Sequence, residues 1–131
     1  MMKRMLLVSA IAGTLAVGAG AAANPLWTHV YRTTIKGAAP AALNGSWVMT
    51  LTPTTFTVAK TGQRLAVGGT LSYSGNRVTF RDAAGPVACR GTQAVGTYSW
   101  SLVGNRLTLR PVKDSCSGRK AILTNGFTRV Y

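Results

Sequence analysis

Two stretches of eight residues, 74–81 (SGNRVTFR) and 103–110 (VGNRLTLR), decide the fold. Both contain a Gly-Asn pair followed by alternating apolar and polar residues. Alternation with a period of two is typical of a strand with one buried face. Gly and Asn tolerate a positive φ and suit the centre of a tight hairpin turn. Because each stretch follows an aromatic-serine run, Leu71-Ser72-Tyr73 or Tyr98-Ser99-Trp100, the repeat predicts two equivalent β-hairpins.

The same period continues on both sides of the repeat. Predicted strands fall at residues 47–51, 56–58, 65–73, 78–80, 98–102, 107–109, 121–124 and 127–131. Asn125-Gly126 predicts a further hairpin turn, and Gly68-Gly69 predicts a bulge or a bend. About eight short strands joined by tight turns favour an all-β fold, a small antiparallel up-and-down barrel whose closure removes exposed edges. An open β-sandwich is the structural alternative.

The N-terminal segment predicts export. Lys3 and Arg4 precede an apolar run at residues 6–17, and a small-residue stretch ends in Ala21-Ala22-Ala23. These are the three regions of a secretory signal peptide covering residues 1–23, with a retained membrane anchor as the alternative. Residues 24–42 are predicted to be an arm and linker, in which residues 24–36 alternate weakly and form either an extra strand or an ordered arm. The barrel domain is predicted to span residues 43–131.

Cys89 and Cys116 are the only cysteines of the chain. An exported chain folds in an oxidising compartment, so we expect a disulfide between them rather than two free thiols. Each cysteine lies in the loop after one copy of the repeat. The bond would therefore join equivalent loops of the two hairpins.

The charge balance argues against an enzyme. The chain has 15 Lys and Arg residues, 2 acidic residues and 1 His, with a formal net charge of +13. Asp82 and Asp114 are the acids and His29 is the histidine, and no nucleophile motif such as G-x-S-x-G is present. One His and two Cys are too few for an ordinary four-ligand zinc site. We expect no catalytic residues, no metal and no cofactor.

Gly45-Ser46-Trp47 resembles the G-x-W motif that opens the first barrel strand of lipocalins and related calycins. In that family the Trp closes one barrel end, and a basic residue from the last strand packs on it. The resemblance implies that Arg129 stacks on Trp47 and that the barrel binds a small ligand. It covers residues 43–130, which is short for the family.

Six aromatic residues are predicted to point into the barrel, and they form the candidate ligand-binding set: Trp47, Phe56, Tyr73, Phe80, Tyr98 and Trp100. An eight-strand barrel is just wide enough to be filled by side chains or to hold one small ligand. These residues therefore either fill the interior as core or line an apolar pocket, with the hydroxyls of Tyr73 and Tyr98 orienting the ligand.

Four arginines are predicted to point outward from the two hairpins: Arg77, Arg81, Arg106 and Arg110. If the hairpins are neighbours, these side chains form a basic face that attracts anionic partners, or a solvated surface that aids solubility. Export makes envelope polymers, lipid head groups or acidic glycans better candidates than nucleic acid, for which the chain has no recognised motif.

The main hypothesis is therefore an exported, monomeric, non-catalytic binding protein that holds a small hydrophobic or amphipathic ligand in a lipocalin-like barrel. The alternative is an envelope-associated basic protein that docks anionic polymers or lipid head groups through its arginine face. A third class, an accessory or inhibitor module that binds another protein, has no feature in the sequence that selects it.

Overall fold

A computed structural model describes residue 26 and residues 28–131 of the chain. The strands are β1 His29–Ile35, β2 Gly45–Leu51, β3 Thr55–Lys60, β4 Leu65–Ser74, β5 Arg77–Ala84, β6 Val95–Val103, β7 Arg106–Lys113 and β8 Phe127–Arg129. One α-helix, α1 Ser117–Leu123, lies between β7 and β8, and short 3₁₀ turns occur at Ala41–Leu43 and Gly91–Gln93. The predicted signal peptide, residues 1–23, lies outside the described residues.

The eight strands form one closed barrel in chain order, each antiparallel to the next, and β8 pairs with β1. This confirms the predicted all-β, up-and-down antiparallel barrel. The predicted irregularity at Gly68 and Gly69 is also present, because the register between β4 and β5 shifts between these residues. A Cβ atom on Gly69 would lie 1.8 Å from the carbonyl oxygen of Arg81, so the strands approach too closely there for any side chain.

The two hairpin turns of the repeat form as predicted. Gly75 joins β4 to β5 with φ +59°, and Gly104 joins β6 to β7 with φ +60°. Positive φ at the first central position is the backbone requirement that glycine meets in such turns. The hairpin predicted at Asn125-Gly126 is wrong, because this pair follows α1 and leads into β8. Gly126, with φ +76°, lies three residues after Leu123, the last residue of the helix, and leads the chain into β8.

The barrel begins at His29 and not at residue 43. β1 pairs with β2 over its whole length, from His29 opposite Leu51 to Ile35 opposite Gly45. Its inward residues include Tyr31 and Ile35, both buried. Of the two alternatives for residues 24–36, an extra strand or an arm, the strand is confirmed at His29–Ile35, which pairs with β2 on one side and with β8 on the other.

The strand predicted at residues 121–124 is instead the end of helix α1. A short apolar run fits a strand or a helix face equally well, so its periodicity cannot decide between them. Ile122 and Leu123 are buried from the helix and join the main hydrophobic core. The barrel thus keeps eight strands, with β1 taking the place of the predicted seventh strand.

The G-x-W motif lies on the second strand, not the first. Trp47 is buried, and its indole N–H donates to the carbonyl oxygen of Leu43 at 2.8 Å. The cation over its ring is Lys60 of β3, with Nζ 5.5 Å from the ring centroid. Arg129, which was expected there, instead donates to the side-chain oxygen of Asn105 at 3.3 Å. The barrel architecture agrees with the lipocalin resemblance, while these two details depart from the family pattern.

No helix among the described residues is long and apolar enough to cross a membrane.

Candidate functional site

Three of the six predicted ligand-binding aromatics pack against one another inside the barrel. Phe80 lies edge to face with Phe56 at 5.1 Å and with Tyr98 at 5.8 Å between ring centroids. All three side chains are buried. Edge-to-face contacts at these distances are favourable core packing.

The other three aromatics do not converge on a shared pocket. Trp47 packs under Lys60, as described above. Tyr73 is half-buried and donates from its hydroxyl to the carbonyl oxygen of Thr52 at 3.4 Å. Trp100 is half-buried against the edge of the core. The six residues thus occupy several places along the barrel.

A cavity bordered by Phe56 and the helix residues Ile122 and Leu123 has a volume of about 30 Å³. This is room for about one or two water molecules, whereas small-molecule sites usually measure about 300–1,000 Å³. Of the two interpretations of the inward aromatics, the packing favours a filled core.

A cluster of charged side chains closes the same end of the barrel. Arg119, on α1, donates to Asp114 from Nε at 2.7 Å and from Nη2 at 2.6 Å, so that both carboxylate oxygens are engaged. Its Nη1 lies 3.0 Å from Oδ1 of Asp82. The exposed fraction of these side chains is 6% for Arg119, 3% for Asp82 and 0% for Asp114. The Asp82–Arg119–Asp114 cluster is therefore a buried ion triad.

Backbone and tyrosine groups add hydrogen bonds to the cluster, in which Oδ1 of Asp82 is engaged only by its ion pair with Arg119. Arg119 also donates to the carbonyl oxygens of Ala94 at 3.0 Å and Gln93 at 2.8 Å. The hydroxyl of Tyr98 donates to Asp114. Buried charges are tolerated when they are paired and hydrogen-bonded in this way.

The environment shifts the pKa values of the cluster. Burial by itself raises the pKa of Asp114, but hydrogen bonds from Arg119, Tyr98 and the N–H of Cys116 outweigh it, so the pKa lies below its ordinary value. Burial and the hydrogen bond to Asp114 raise the pKa of Tyr98. Burial lowers the pKa of Arg119, yet its two carboxylate partners more than reverse this effect and the pKa is raised. These three shifts favour a charged Asp114–Arg119 pair beside a neutral Tyr98.

The predicted disulfide between Cys89 and Cys116 is formed and lies beside the cluster. The backbone N–H of Cys89 donates to Asp82 at 2.8 Å, and that of Cys116 donates to Asp114 at 2.9 Å. Asp82 lies within 4.8 Å of both sulfur atoms, but these atoms are bonded to each other and are not thiolate ligands. This end of the barrel is a structural closure rather than a metal site.

The outward arginines fall into two rows across the strands. In the Arg77–Arg110 row, Arg77 of β5 and Arg110 of β7 both lie opposite Ser99 of β6. Neighbouring strands are about 4.8 Å apart, so the two Cα atoms are separated by roughly 10 Å. The structure brings these two predicted residues together, while Arg81 lies further along β5, opposite Val95.

Arg106 belongs to a second row that the sequence did not predict. Arg106 of β7 and Arg32 of β1 both lie opposite Thr128 of β8. We call this the Arg32–Arg106 row. Arg32 was not singled out because residues 24–36 were left open between a strand and an arm. As a strand, the segment places Arg32 on the outer face by its even position beside Tyr31.

Together these side chains define what we call the cationic wall: Arg32, Arg77, Arg81, Arg106, Arg110 and Lys113. All six are exposed. Both acidic residues of the whole chain are used in the buried triad with Arg119. The wall therefore faces solvent with no acidic side chain to neutralise it.

The buried triad was not predicted from the sequence, in which no motif singles out Arg119. One signal could have indicated it. Asp114 comes two residues before Cys116, and Asp82 comes seven before Cys89, so the disulfide brings together the two acidic residues of a strongly basic chain. A cation buried beside them then becomes a reasonable expectation.

Comparison with known proteins adds no family. No protein-family model, no curated protein and no solved structure matches this chain.

Proposed function

We propose that this is an exported, non-catalytic binding protein whose cationic wall docks an anionic polymer of the cell envelope. The observation that carries the proposal is the segregation of charge. Both acidic side chains of the chain are buried with Arg119, while the wall arginines are exposed. A surface whose charges are all positive attracts and retains negatively charged partners.

The side chains between the arginines favour a hydrated polymer over a lipid surface. Ser99 separates the arginines of one row and Thr128 those of the other. Proteins that lie on membranes usually insert large apolar or aromatic side chains beside their basic residues. Hydroxyl groups instead offer hydrogen bonds to a polymer that stays in water.

The interior gives less support to the ligand-holding hypothesis. The cavity beside Phe56 has room for water but not for a fatty acid or a similar molecule. Phe56, Phe80 and Tyr98 fill this part of the barrel as core. The apolar ligand stays a prediction that a screen of apolar probes would test.

Other features support the remaining parts of the proposal. A disulfide is typical of exported proteins, and barrel closure gives every strand a partner on both sides for at least part of its length, which favours a monomer. The ring of His29 bonds through Nδ1 to the carbonyl oxygen of Tyr131 at 2.7 Å. With both carboxylates held by Arg119, the usual acid and base groups are occupied, which supports a non-catalytic role.

The test compares two variants of equal net charge. In the wall variant, Arg32, Arg77, Arg106 and Arg110 are each changed to Gln. The matched control changes four cations outside the wall to Gln, namely Lys36, Arg64, Arg90 and Lys120. Binding to heparin is measured by calorimetry between 50 and 300 mM salt, roughly the range in which electrostatic binding weakens steeply.

We expect heparin affinity to fall at least tenfold in the wall variant and about threefold or less in the control. The slope of log affinity against log salt falls by about one for each arginine in contact. Equal losses in both variants would show that net charge alone acts. Binding that ignores salt, or tighter binding to phosphatidylglycerol vesicles than to heparin, would reject polymer docking through the wall.

A further inference from the structure

A polar groove lies on the outer wall where β1 passes the short strand β8. Its volume is about 380 Å³, and its lining includes Arg32, Ser46, Arg106 and Thr128. The groove exists because β8 has only three residues, whereas β1 continues to Ile35 beyond the last β8 pair. This volume falls within the range of small-ligand sites, about 300–1,000 Å³.

Hydrogen bonds fix the floor of the groove. Thr33 donates from Oγ1 to the carbonyl oxygen of Gly126 at 2.7 Å. Asn125 donates from Nδ2 to Oγ1 of Thr33 at 2.8 Å and to the carbonyl oxygen of Thr34 at 2.9 Å. These bonds attach the turn after α1 to β1. The groove is therefore preformed, which lowers the entropy lost when a ligand binds.

The absence of a side chain at Gly126 allows Arg106 to pack against this floor. A Cβ atom on Gly126 would lie 2.6 Å from Nη2 of Arg106, so the guanidinium packs directly on the backbone of the turn. From there Arg106 faces Arg32 across Thr128, which lies opposite both in the strand register. Arg106 and Arg32 thus line one groove from the two strands on either side of β8.

The donor set matches an oxyanion. Guanidinium groups bind phosphate and sulfate oxygens through charge-assisted hydrogen bonds. Hydroxyl donors lie beside them on Thr128 and on Ser46, whose Oγ is 3.3 Å from Oγ1 of Thr34. Both carboxylates of the chain lie elsewhere, in the buried triad.

We infer that this groove is a subsite for a tetrahedral oxyanion, a sulfate ester or a phosphate group carried by the polymer that docks on the wall. The inference rests on the proposed function for the polymer, but the small-anion site can be tested alone. Arginines on opposite sides require oxygens that point in several directions. A tetrahedral group presents three such oxygens, whereas a planar carboxylate presents two in one plane and fits a single arginine best.

The Arg77–Arg110 row supplies a matched control, because it also places two arginines opposite one hydroxyl residue. The test variants are R32Q/R106Q for the groove and R77Q/R110Q for the control. Sodium sulfate, sodium phosphate and sodium acetate are titrated into the ¹⁵N-labelled protein at constant ionic strength. Amide shifts of Thr33, Gly126 and Thr128 report on the groove.

We expect sulfate and phosphate to shift these amides saturably, with acetate at least about tenfold weaker. R32Q/R106Q removes the saturable shifts, while R77Q/R110Q keeps the sulfate affinity within about twofold. Shifts spread evenly over all arginine-bearing strands, or equal responses of both variants, would overturn the subsite. Acetate binding as tightly as sulfate would also overturn it.

Titrations with three polymers distinguish a sulfate ester from a phosphate group as the bound oxyanion. They also distinguish failure of the groove subsite from failure of the proposed polymer docking. The probes are a heparin hexasaccharide, a polyphosphate of equal charge and a hyaluronan oligosaccharide, which carries carboxylates only. A sulfate-ester source predicts that R32Q/R106Q weakens the hexasaccharide most, and a phosphate source predicts that it weakens polyphosphate most. Groove shifts with free sulfate but no polymer binding would reject the proposed function and keep the subsite. Polymer binding without groove shifts would reject the subsite and keep the function.

Discussion

Arg119 engages both carboxylate oxygens of Asp114, with Nε 2.7 Å from one and Nη2 2.6 Å from the other. The two residues connect α1 to the segment between β7 and the helix. Asp82, from β5, contacts the same guanidinium. One arginine thus joins the helix to β5, which is not its neighbour in sequence, and it holds both acidic side chains away from the surface. The same contact that closes the barrel end leaves the outer wall purely cationic.

Replacing Arg119 by Met should destabilise the protein strongly. The change leaves Asp82 and Asp114 buried without their cation, and breaking a buried ion pair from one side costs about 3–5 kcal/mol. The free energy of unfolding is measured by urea denaturation with tryptophan fluorescence. Arg110→Met, an exposed change of the same chemistry, is the control and should stay within about 0.5 kcal/mol of the wild type. Similar free energies of unfolding for Arg119→Met and Arg110→Met would show that the triad does not stabilise the fold.

Two buried tyrosines should respond differently to loss of their hydroxyl group. Tyr98→Phe removes the donor to Asp114, and a hydrogen bond to a charged group contributes about 1.5–3 kcal/mol. Tyr31→Phe is the matched change, because the buried hydroxyl of Tyr31 has no hydrogen-bond partner among the described residues. Its loss should be neutral or stabilising, since an unsatisfied buried polar group carries a desolvation cost. The comparison uses the midpoint of thermal unfolding, and a larger loss for Tyr31→Phe would contradict the assignment.

Acid should weaken the fold through Asp114. Its pKa is lowered in the folded protein, so the carboxylate stabilises the fold fully above the ordinary value of 3.8 and loses this effect as pH falls through the lower folded pKa. Asp114→Asn should therefore be less stable than the wild type at pH 7, with the difference narrowing below about pH 4. Urea unfolding of both proteins at pH 7, 4 and 2.5 measures this. A difference that is constant with pH would mean that another group accounts for the acid sensitivity.

High pH should also weaken the fold, in this case by ionising buried tyrosines. Burial raises the pKa of Tyr31 and of Tyr73 to about 12. A raised pKa means that the neutral form stabilises the fold below the ordinary value of 10.0, and that this effect is lost as pH rises toward 12. The absorbance of tyrosinate at 295 nm should therefore rise late for these residues and coincide with unfolding. In Tyr31→Phe the step near pH 12 should be smaller by one tyrosine; an unchanged step would reject the assignment.

The hairpins could be predicted from sequence because their causes are local. The Gly75 and Gly104 turns need a positive φ at one residue, and the strands that follow alternate strictly. β1 could not be predicted in this way, since its pairing with β2 forms across the loop that contains Pro40. The end of helix α1 was mistaken for a strand because its apolar residues are few, and a short apolar run fits a helix face or a strand equally well. Composition shows that acidic residues are rare, but not that folding buries both of them.

The cationic wall could likewise be predicted only where local sequence patterns determine the positions of its arginines. Arg77 and Arg110 could be placed on one outer face from parity alone, and the register then brought them opposite Ser99. The partner of Arg106 depended on a strand pairing between the two ends of the described chain, which no local pattern encodes. Long-range closure therefore determines which arginines share a groove.

Gly96 and Gly118 provide a paired test of how tightly the triad is packed. A Cβ atom on Gly96 would lie 2.5 Å from the carboxyl group of Asp114 and 2.9 Å from Nε of Arg119, so Gly96→Ala forces the buried pair apart. Overpacking of this kind costs about 1–3 kcal/mol, and displacement of the hydrogen bonds to Asp114 adds to it. Gly118 lies in helix α1 with nothing within 4 Å of its Cβ position, so Gly118→Ala should stabilise the fold by about 0.5–1 kcal/mol through a less flexible unfolded chain. Urea denaturation of the two variants measures both effects. We expect Gly96→Ala to lower the free energy of unfolding and Gly118→Ala to raise it. An unchanged free energy of unfolding in Gly96→Ala would show that Asp114 and Arg119 have room to separate.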